Sequence, residues 1–122
     1  MIQKKILVID DEQDIRDSIQ RILTGAGYFV QTADNLRTAI KILVDQPEFD
    51  LITCDIMIPA AGGFELIDEI KADKKYAHIP ILMVTGMDVA VLSATTHSAD
   101  AVLMKPFTAT DLLSKVKTFL GA

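Results

Sequence analysis

The sequence predicts a doubly wound α/β fold, with a five-stranded parallel sheet between two layers of helices. The main observation is a set of short apolar runs that do not alternate with polar residues. Continuous apolarity at this length is typical of strands that are buried on both faces of a parallel sheet. The second observation is that helix-period segments fill the intervals between the runs, so that strand and helix alternate along the chain. The four runs are Ile6–Ile9, Leu51–Cys54, Ile81–Val84 and Ala101–Met104.

A fifth, weaker strand is predicted at Phe29–Ala33, where polar and apolar residues alternate. Alternation indicates a strand with one face exposed, which places it at or near an edge of the sheet. The segment follows the first predicted helix directly, and Gly25 and Gly27 mark the end of that helix. The strand therefore completes a five-stranded sheet.

The predicted helices are defined by apolar stripes at helical spacing. The second helix ends before Pro47, and Thr108 or Thr110 caps the last one. Asp88–Thr96 is the weakest helical segment, because it is short and rich in Val and Thr. In chain order the four clearer stripes are Ile15, Ile19, Ile22, Leu23 and Ala26; Leu36, Ala39, Ile40, Leu43 and Val44; Phe64, Ile67 and Ile70; and Leu112, Leu113, Val116, Phe119 and Leu120.

The bulk properties restrict the possible functions. With 122 residues the chain is predicted to be a single domain over residues 1–122, without a targeting segment or a membrane span. Its net charge of −5 disfavours direct binding of nucleic acid, which needs a basic surface. Cys54 is the only cysteine, which suits a reducing cytoplasm, and we interpret it as a small buried apolar residue.

The residues that follow the predicted strands form the candidate site. Asp10 and Asp11 follow the first strand, Asp55 the third, Thr85 the fourth and Lys105 the fifth. In this type of fold, ligands bind beyond the carboxyl ends of the strands, so we expect these side chains to lie together. Taken singly, Asp11 is equally well explained as a helix cap, Thr85 as a turn residue and Lys105 as a surface lysine.

Three converging carboxylates repel one another, and a divalent cation relieves that repulsion. Mg²⁺ prefers oxygen ligands from one or two carboxylates, water and phosphate. A phosphoryl group on Asp55 would supply one such oxygen, while Lys105 neutralises a second phosphate oxygen and Thr85 donates a hydrogen bond to a third. This combination predicts phosphoryl transfer, which depends on positioning and charge stabilisation.

The sequence resembles the receiver domain of bacterial two-component response regulators along its whole length. The matching motifs are ILVIDDE at residues 6–12, DIMIPAAGGFEL at 55–66, Thr85-Gly86 and Lys105-Pro106-Phe107. The resemblance implies a flavodoxin-like three-layer sandwich with strand order 2-1-3-4-5. It also implies a cytoplasmic signalling domain that assists its own phosphorylation and dephosphorylation and is not otherwise an enzyme.

The resemblance also assigns roles to individual residues. Asp55 is the phosphoacceptor for the phosphohistidine of a sensor histidine kinase or a histidine phosphotransfer protein. Mg²⁺, or Mn²⁺ as a substitute, is held by Asp10, Asp11, Asp55 and the Met57 backbone carbonyl. Thr85 senses the phosphate and Lys105 contacts it. The Lys105–Pro106 bond is expected to be cis, as it is in relatives.

The chain departs from the family pattern on its expected output surface, residues 88–107. Val102 stands where many relatives have an aromatic switch residue, and Gly86 replaces the usual small Ala after Thr85. Residues 89–96 carry no charge, so they cannot supply their share of the charged network through which some relatives dimerise. We expect an output partner to bind this surface, and the chain to be a monomer or a weak dimer.

Three alternative functions fit the sequence less well. A purely structural interaction module would have lost the acidic pair, the acceptor aspartate or the lysine, and all of them are present. A nucleotide or flavin carrier would need a phosphate-binding loop after the first strand, where Asp10-Asp11-Glu12 stands instead. A hydrolase with an aspartate nucleophile would need a longer chain for substrate binding.

Overall fold

Five parallel strands form the centre of the molecule, with the spatial order β2-β1-β3-β4-β5. This is the predicted order. The structure is a computed structural model that describes residues 3–46, 48–55, 70–86 and 100–121. The strands are β1 (Lys5–Ile9), β2 (Phe29–Ala33), β3 (Leu51–Cys54), β4 (Ile81–Thr85) and β5 (Ala101–Met104).

Burial follows the pattern of the sequence. All residues of β3 and β4 are buried, as continuous apolar runs between two helical layers should be. The alternating strand β2 lies at an edge and is partly exposed, with Phe29 43% accessible. One boundary differs from its prediction: β4 extends through Thr85, so this residue is the last of the strand and does not follow it.

Three helices are fully bounded in the described part of the chain: α1 (Gln13–Gly25), α2 (Leu36–Asp45) and α3 (Ala109–Leu120). The Asn35 side chain accepts a hydrogen bond from the Thr38 amide and so caps α2. Thr108 begins α3 in a capping box with Asp111, which decides between the two predicted caps. Gly27 follows α1 with a φ of 98°, a conformation that glycine adopts readily.

Two apolar cores lie on opposite faces of the sheet, because successive strand side chains point to opposite sides. One core joins Leu7, Ile52 and Met83 with residues of α2, including Ala39 and Leu43. The other joins strand residues such as Val8 and Val84 with α1 and α3, through Ile19, Leu23, Leu112 and Val116. The predicted stripes of the first and last helices therefore face the sheet.

Three residues of the predicted stripes are more exposed than expected. Ala26 is the exposed C-cap of α1, while Ile40 and Val44 on α2 are 36% and 63% accessible. On a helix, positions 40 and 44 are rotated by about 100° from positions 39 and 43, which are the ones that reach the sheet. The predicted apolar stripe on α2 is therefore wider than the helix face that packs against the sheet.

Several predictions fall outside the described residues. They include Phe64 and Ile67 of the third predicted stripe, the segment Asp88–Thr96, and the greater part of the expected output surface at 88–107. Of the third predicted stripe only Ile70 is described, and it is helical and buried. Within the described residues, no helix is long and apolar enough to span a membrane.

Candidate active site at the carboxyl edge of the sheet

Asp10 and Asp55 are held side by side by the backbone ladder of the sheet. They directly follow β1 and β3, which are neighbours in register, with Ile9 opposite Cys54. The Asp55 amide donates to the Ile9 carbonyl at 3.1 Å, and the Asp10 amide donates to the Ala33 carbonyl at 3.1 Å. Both side chains are buried, although aspartate is seldom buried without a partner.

Lys105 connects the two buried carboxylates. Its backbone amide donates to the Thr85 carbonyl at 2.8 Å, which anchors the residue at the ends of β4 and β5. Its ammonium lies 2.9 Å from Asp55 Oδ2 and 3.0 Å from Asp10 Oδ2. The Lys105–Pro106 peptide bond is cis, as predicted. The lysine therefore forms a shared, charge-assisted bridge between Asp10 and Asp55.

In the part of the chain that the structure describes, four carboxylates converge at this point. Asp10, Asp11, Glu12 and Asp55 each offer an oxygen, and these oxygens lie within 4.8 Å of one another. Asp10 and Asp55 are buried, while Asp11 and Glu12 are exposed, so the cluster is open to solvent on one side. The site therefore combines two buried carboxylates with access for a small ion.

Glu12 is a member of the site that the sequence analysis did not assign. Its carboxylate lies 3.4 Å from the Lys105 ammonium, and its amide donates to Asp10 Oδ1 at 2.9 Å. Glu12 is also the N-cap residue of α1, and its side chain makes no capping hydrogen bond. Asp11 is therefore not the helix cap, which removes the structural alternative for that residue. Three consecutive acidic residues after a strand were the signal that could have identified Glu12.

The pKa values reflect competition between burial and pairing. Burial raises the pKa of Asp10 above its ordinary value and the Asp55 charge adds to the increase, although the Glu12 amide and Lys105 oppose it. Burial alone would lower the pKa of Lys105, but the hydrogen bonds to Asp55 and Asp10 and the negative charges of these two residues together outweigh burial and raise that pKa. The site therefore favours the charged form of Lys105 and disfavours the charged form of Asp10.

Arg16 adds a second cation near this edge without pairing with a carboxylate of the cluster. Its guanidinium donates to the backbone carbonyl of Asp10 at 2.8 Å. This contact ties the first turns of α1 to the end of β1 and so supports the position of the acidic pair.

Cys54, the residue before Asp55, is buried at the end of β3, as predicted. Burial raises the pKa of the Cys54 thiol to about 12, and the negative charges of Asp55 and Asp10 contribute to the increase. A thiol that stays protonated is a poor nucleophile. Cys54 is therefore a packing residue.

The structure brings together most of the predicted site residues. Asp10, Asp11, Asp55 and Lys105 lie in one cluster, and Thr85 is fully buried at the end of β4, where its carbonyl receives the Lys105 amide. Met57, predicted as a carbonyl ligand, lies outside the described residues. Val102, in the expected switch position, is partly buried and packs against the core on the α2 side of the sheet.

The donor set fits a hard divalent cation. Within the described residues, the candidate ligand atoms of the cluster are carboxylate oxygens, which suit Mg²⁺ and Mn²⁺ better than metals that prefer nitrogen or sulfur. Two of the four carboxylates are buried, and mutual repulsion makes such a group unfavourable without added positive charge.

The chain belongs to the response regulator receiver domain family, whose family model matches residues 6–117. It is 36% identical over 122 residues to the phosphate regulon transcriptional regulatory protein PhoB of Pseudomonas aeruginosa, matching 98% of this chain and 53% of PhoB. It is 31% identical over 115 residues to the chemotaxis protein CheY-3 of Vibrio cholerae, matching 92% of this chain and 88% of that protein. The chain thus spans about half the length of PhoB but most of CheY-3.

Solved structures support the same family and fold. Chemotaxis response regulator CheY4 of Vibrio cholerae superposes with a TM-score of 0.85 at 30% identity, covering 97% of this chain and 99% of that one. A putative response regulator from Chloroflexus aurantiacus gives 0.91 at 27% identity, covering 99% and 100%. These likenesses confirm the flavodoxin-like sandwich with strand order 2-1-3-4-5.

Proposed function

We propose that the chain accepts a phosphoryl group on Asp55 in a Mg²⁺-dependent reaction and transmits the resulting change to a partner protein or output domain. The observation that carries this proposal is the Lys105 ammonium bridging Asp55 and Asp10 inside a cluster of four carboxylates. Receiver domains of this family interact with histidine kinases and output domains. The donor is accordingly the phosphohistidine of a sensor kinase or of a histidine phosphotransfer protein.

In the transfer step, a carboxylate oxygen of Asp55 attacks phosphorus and forms an O–P bond. The P–N bond of phosphohistidine breaks, and its electron pair returns to the imidazole nitrogen. Asp10, Asp11 and Asp55 would hold the cation, which neutralises charge on the phosphoryl oxygens when bound. The exposed Glu12 offers a fourth carboxylate oxygen beside these three residues.

Lys105 has the central electrostatic role in this proposal. Its ammonium already contacts the acceptor carboxylate at 2.9 Å, so a small movement brings it onto a phosphoryl oxygen. The Thr85 carbonyl accepts a hydrogen bond from the Lys105 amide. We expect the Thr85 hydroxyl to donate a hydrogen bond to the phosphoryl group. Phosphorylation of Asp55 would thus affect the ends of β4 and β5 together. The expected output surface, residues 88–107, includes β5 and begins shortly after β4 in the sequence.

The reaction is self-assisted, and no separate substrate is turned over. An interaction module without chemistry would have no need for a buried acceptor, a bridging lysine and a convergent acidic group. We also expect the protein to work in the cytoplasm, where the kinases that use this chemistry have their transmitter domains.

Intact mass spectrometry tests the proposal. A phosphoramidate donor, whose P–N bond resembles that of phosphohistidine, should add one phosphoryl group in the presence of Mg²⁺ and none in the presence of a chelator. Asp55→Asn should abolish the addition, whereas Asp73→Asn, at an exposed turn, should leave it unchanged. Phosphorylation of the Asp55→Asn variant at the normal rate would show that Asp55 is not the acceptor.

A further inference from the structure

Two aspartates at the opposite, amino edge of the sheet make the same pair of hydrogen bonds. Asp50 precedes β3: its amide donates to the Lys5 carbonyl at 2.8 Å, and its Oδ2 accepts from the Lys5 amide at 2.8 Å. Asp100 precedes β5: its amide donates to the Ile81 carbonyl at 2.9 Å, and its Oδ2 accepts from the Ile81 amide at 2.8 Å. Each aspartate thus forms a two-bond link with the first residue of the neighbouring strand.

The links have a regular relation to the site at the other edge. Asp50 stands five positions before Asp55, and Asp100 stands five positions before Lys105. Lys5, the partner of Asp50, stands five positions before Asp10. The segments 5–10, 50–55 and 100–105 therefore each begin with a residue of an amino-edge link and end with a residue of the Asp10–Asp55–Lys105 bridge.

The apolar pattern of these strands leaves the register partly undetermined. A slip of one residue would exchange the two faces of a strand, but a slip of two residues would keep each side chain on its own face. Such a slip moves the strand by roughly 7 Å, which would remove Asp55 or Lys105 from the bridge. Since β1, β3, β4 and β5 are mainly apolar throughout, hydrophobic burial opposes a two-residue slip only weakly.

The aspartate links distinguish between these registers. In the observed register Ile6 is opposite Leu51 and Leu82 is opposite Ala101, so each aspartate falls opposite the first residue of the next strand. The amide of that first residue is available to a side chain, whereas amides inside the strands are used by the ladder. A slipped strand would lose the carboxylate–amide bond.

Lys71 strengthens the second link. Its ammonium lies 2.9 Å from Asp100 Oδ2 and donates to the Ile79 carbonyl at 3.0 Å. The carboxylate of Asp100 is therefore held by the Lys71 ammonium and by the first amide of β4 at the same time. This second contact keeps the carboxylate oriented although its side chain is 38% exposed.

We propose that Asp50 and Asp100 are positioning residues that set the register of β3 and β5 and thereby place Asp55 and Lys105 against Asp10. The register part of this proposal depends only on the hydrogen bonds described above. Its consequence for Mg²⁺ binding and phosphorylation rests on the proposed function.

The test compares the substitutions Asp50→Ala and Asp100→Ala with Asp50→Asn and Asp100→Asn. Asparagine keeps a side-chain oxygen that accepts the strand amide, whereas alanine does not. In the metal-free protein, the alanine variants should move the ¹H–¹⁵N signals of Asp55 and Lys105, and both asparagine variants should restore them. Mg²⁺ binding should weaken about tenfold in the alanine variants, as for other residues that orient metal ligands.

Asp73→Ala is the matched control, because Asp73 Oδ1 accepts the Lys75 amide at 2.9 Å within a turn and joins no strands. It should leave the Asp55 and Lys105 signals in place. Unchanged signals in folded alanine variants would overturn the proposal, as would asparagine variants that behave like alanine.

Asp100 is the more exposed residue, so Asp100→Ala provides a folded variant even where Asp50→Ala is unstable. Failure of the wild-type chain to bind Mg²⁺ would refute the proposed function, while the metal-free signals still decide the register proposal.

Discussion

At the amino edge of the sheet, Asp50 and Asp100 each accept a hydrogen bond from a backbone amide that would otherwise lack a strand partner. At the carboxyl edge, Asp10 and Asp55 face each other and share the ammonium of Lys105. Each amino-edge carboxylate thus has its own backbone amide as a partner. The two buried carboxyl-edge carboxylates share one cation, the Lys105 ammonium. The same residue type therefore stabilises the fold at one edge and accumulates unfavourable charge at the other.

Functional sites often retain such local cost because the charge is needed for chemistry. The difference between the edges has measurable consequences for stability, since removing a charge has opposite effects where charge is compensated and where it is crowded. The candidate metal ligands Asp10, Asp11 and Asp55 all lie at the carboxyl edge.

Removal of the shared cation should have the largest effect. Lys105→Met leaves Asp10 and Asp55 buried together without the ammonium, and we expect the metal-free protein to lose about 3 kcal/mol of unfolding free energy at neutral pH. Urea denaturation measures this loss. Lys71→Met is the control at the amino edge: its ion pair with Asp100 is more exposed, so the loss should be below about 1 kcal/mol. Equal losses in the two variants would contradict the distinction between the edges.

Mg²⁺ should stabilise the protein through the carboxyl edge. At a free concentration of one hundred times its dissociation constant, a ligand that binds only the folded state adds about 2.7 kcal/mol. Thermal unfolding with and without Mg²⁺ measures the gain.

Asp11→Ala should abolish that gain and leave the metal-free stability near the wild-type value, because Asp11 is exposed. Asp73→Ala, an exposed aspartate outside the cluster, should retain the full gain. A gain that persists in Asp11→Ala would show that Asp11 is not a metal ligand.

The smallest expected effect comes from the same substitution made at each edge. Asp10→Asn should raise the unfolding free energy by about 1 kcal/mol at neutral pH, a common size for a single substitution. The reason is that an acid with a raised folded-state pKa is costly when ionised. The cost is present above that pKa and is relieved as the pH falls through it, so the advantage of Asp10→Asn should disappear towards the ordinary pKa of 3.8.

Asp50→Asn should give no such gain, because its carboxylate is paired with a backbone amide. Denaturant midpoints of both variants between neutral pH and pH 4 make the comparison. A stabilising Asp50→Asn, or an advantage of Asp10→Asn that grows at low pH, would be inconsistent with this account.

The strands and the site were largely predictable because each rests on a local signal. Short, mainly apolar runs predicted β1, β3, β4 and β5, and parallel topology then places the residues after them at a common edge. Asp10, Asp55 and Lys105 are identified in this way as neighbouring site residues from the sequence alone. Thr85 was identified as well, although it closes its strand and does not follow it.

The errors and omissions concern features that depend on how distant segments of the chain pack against one another. Ile40 and Val44 fit the helical stripe, but their exposure depends on how α2 is rotated against the sheet. The role of Glu12 depends on the position of Lys105, which is 93 residues away along the chain. The amino-edge links of Asp50 and Asp100 were not predicted, since an aspartate before a strand has many possible partners until the register is known.

The burial of Cys54 has a practical consequence for experiments on this chain. It is the single cysteine, it is 1% accessible, and burial keeps its pKa near 12, so the folded protein presents no reactive thiol to maleimides or similar reagents. A cysteine introduced on the surface can therefore carry a fluorophore or spin label as the only modified position. The native chain serves directly as the unlabelled background for such spectroscopy, without a substitution next to Asp55.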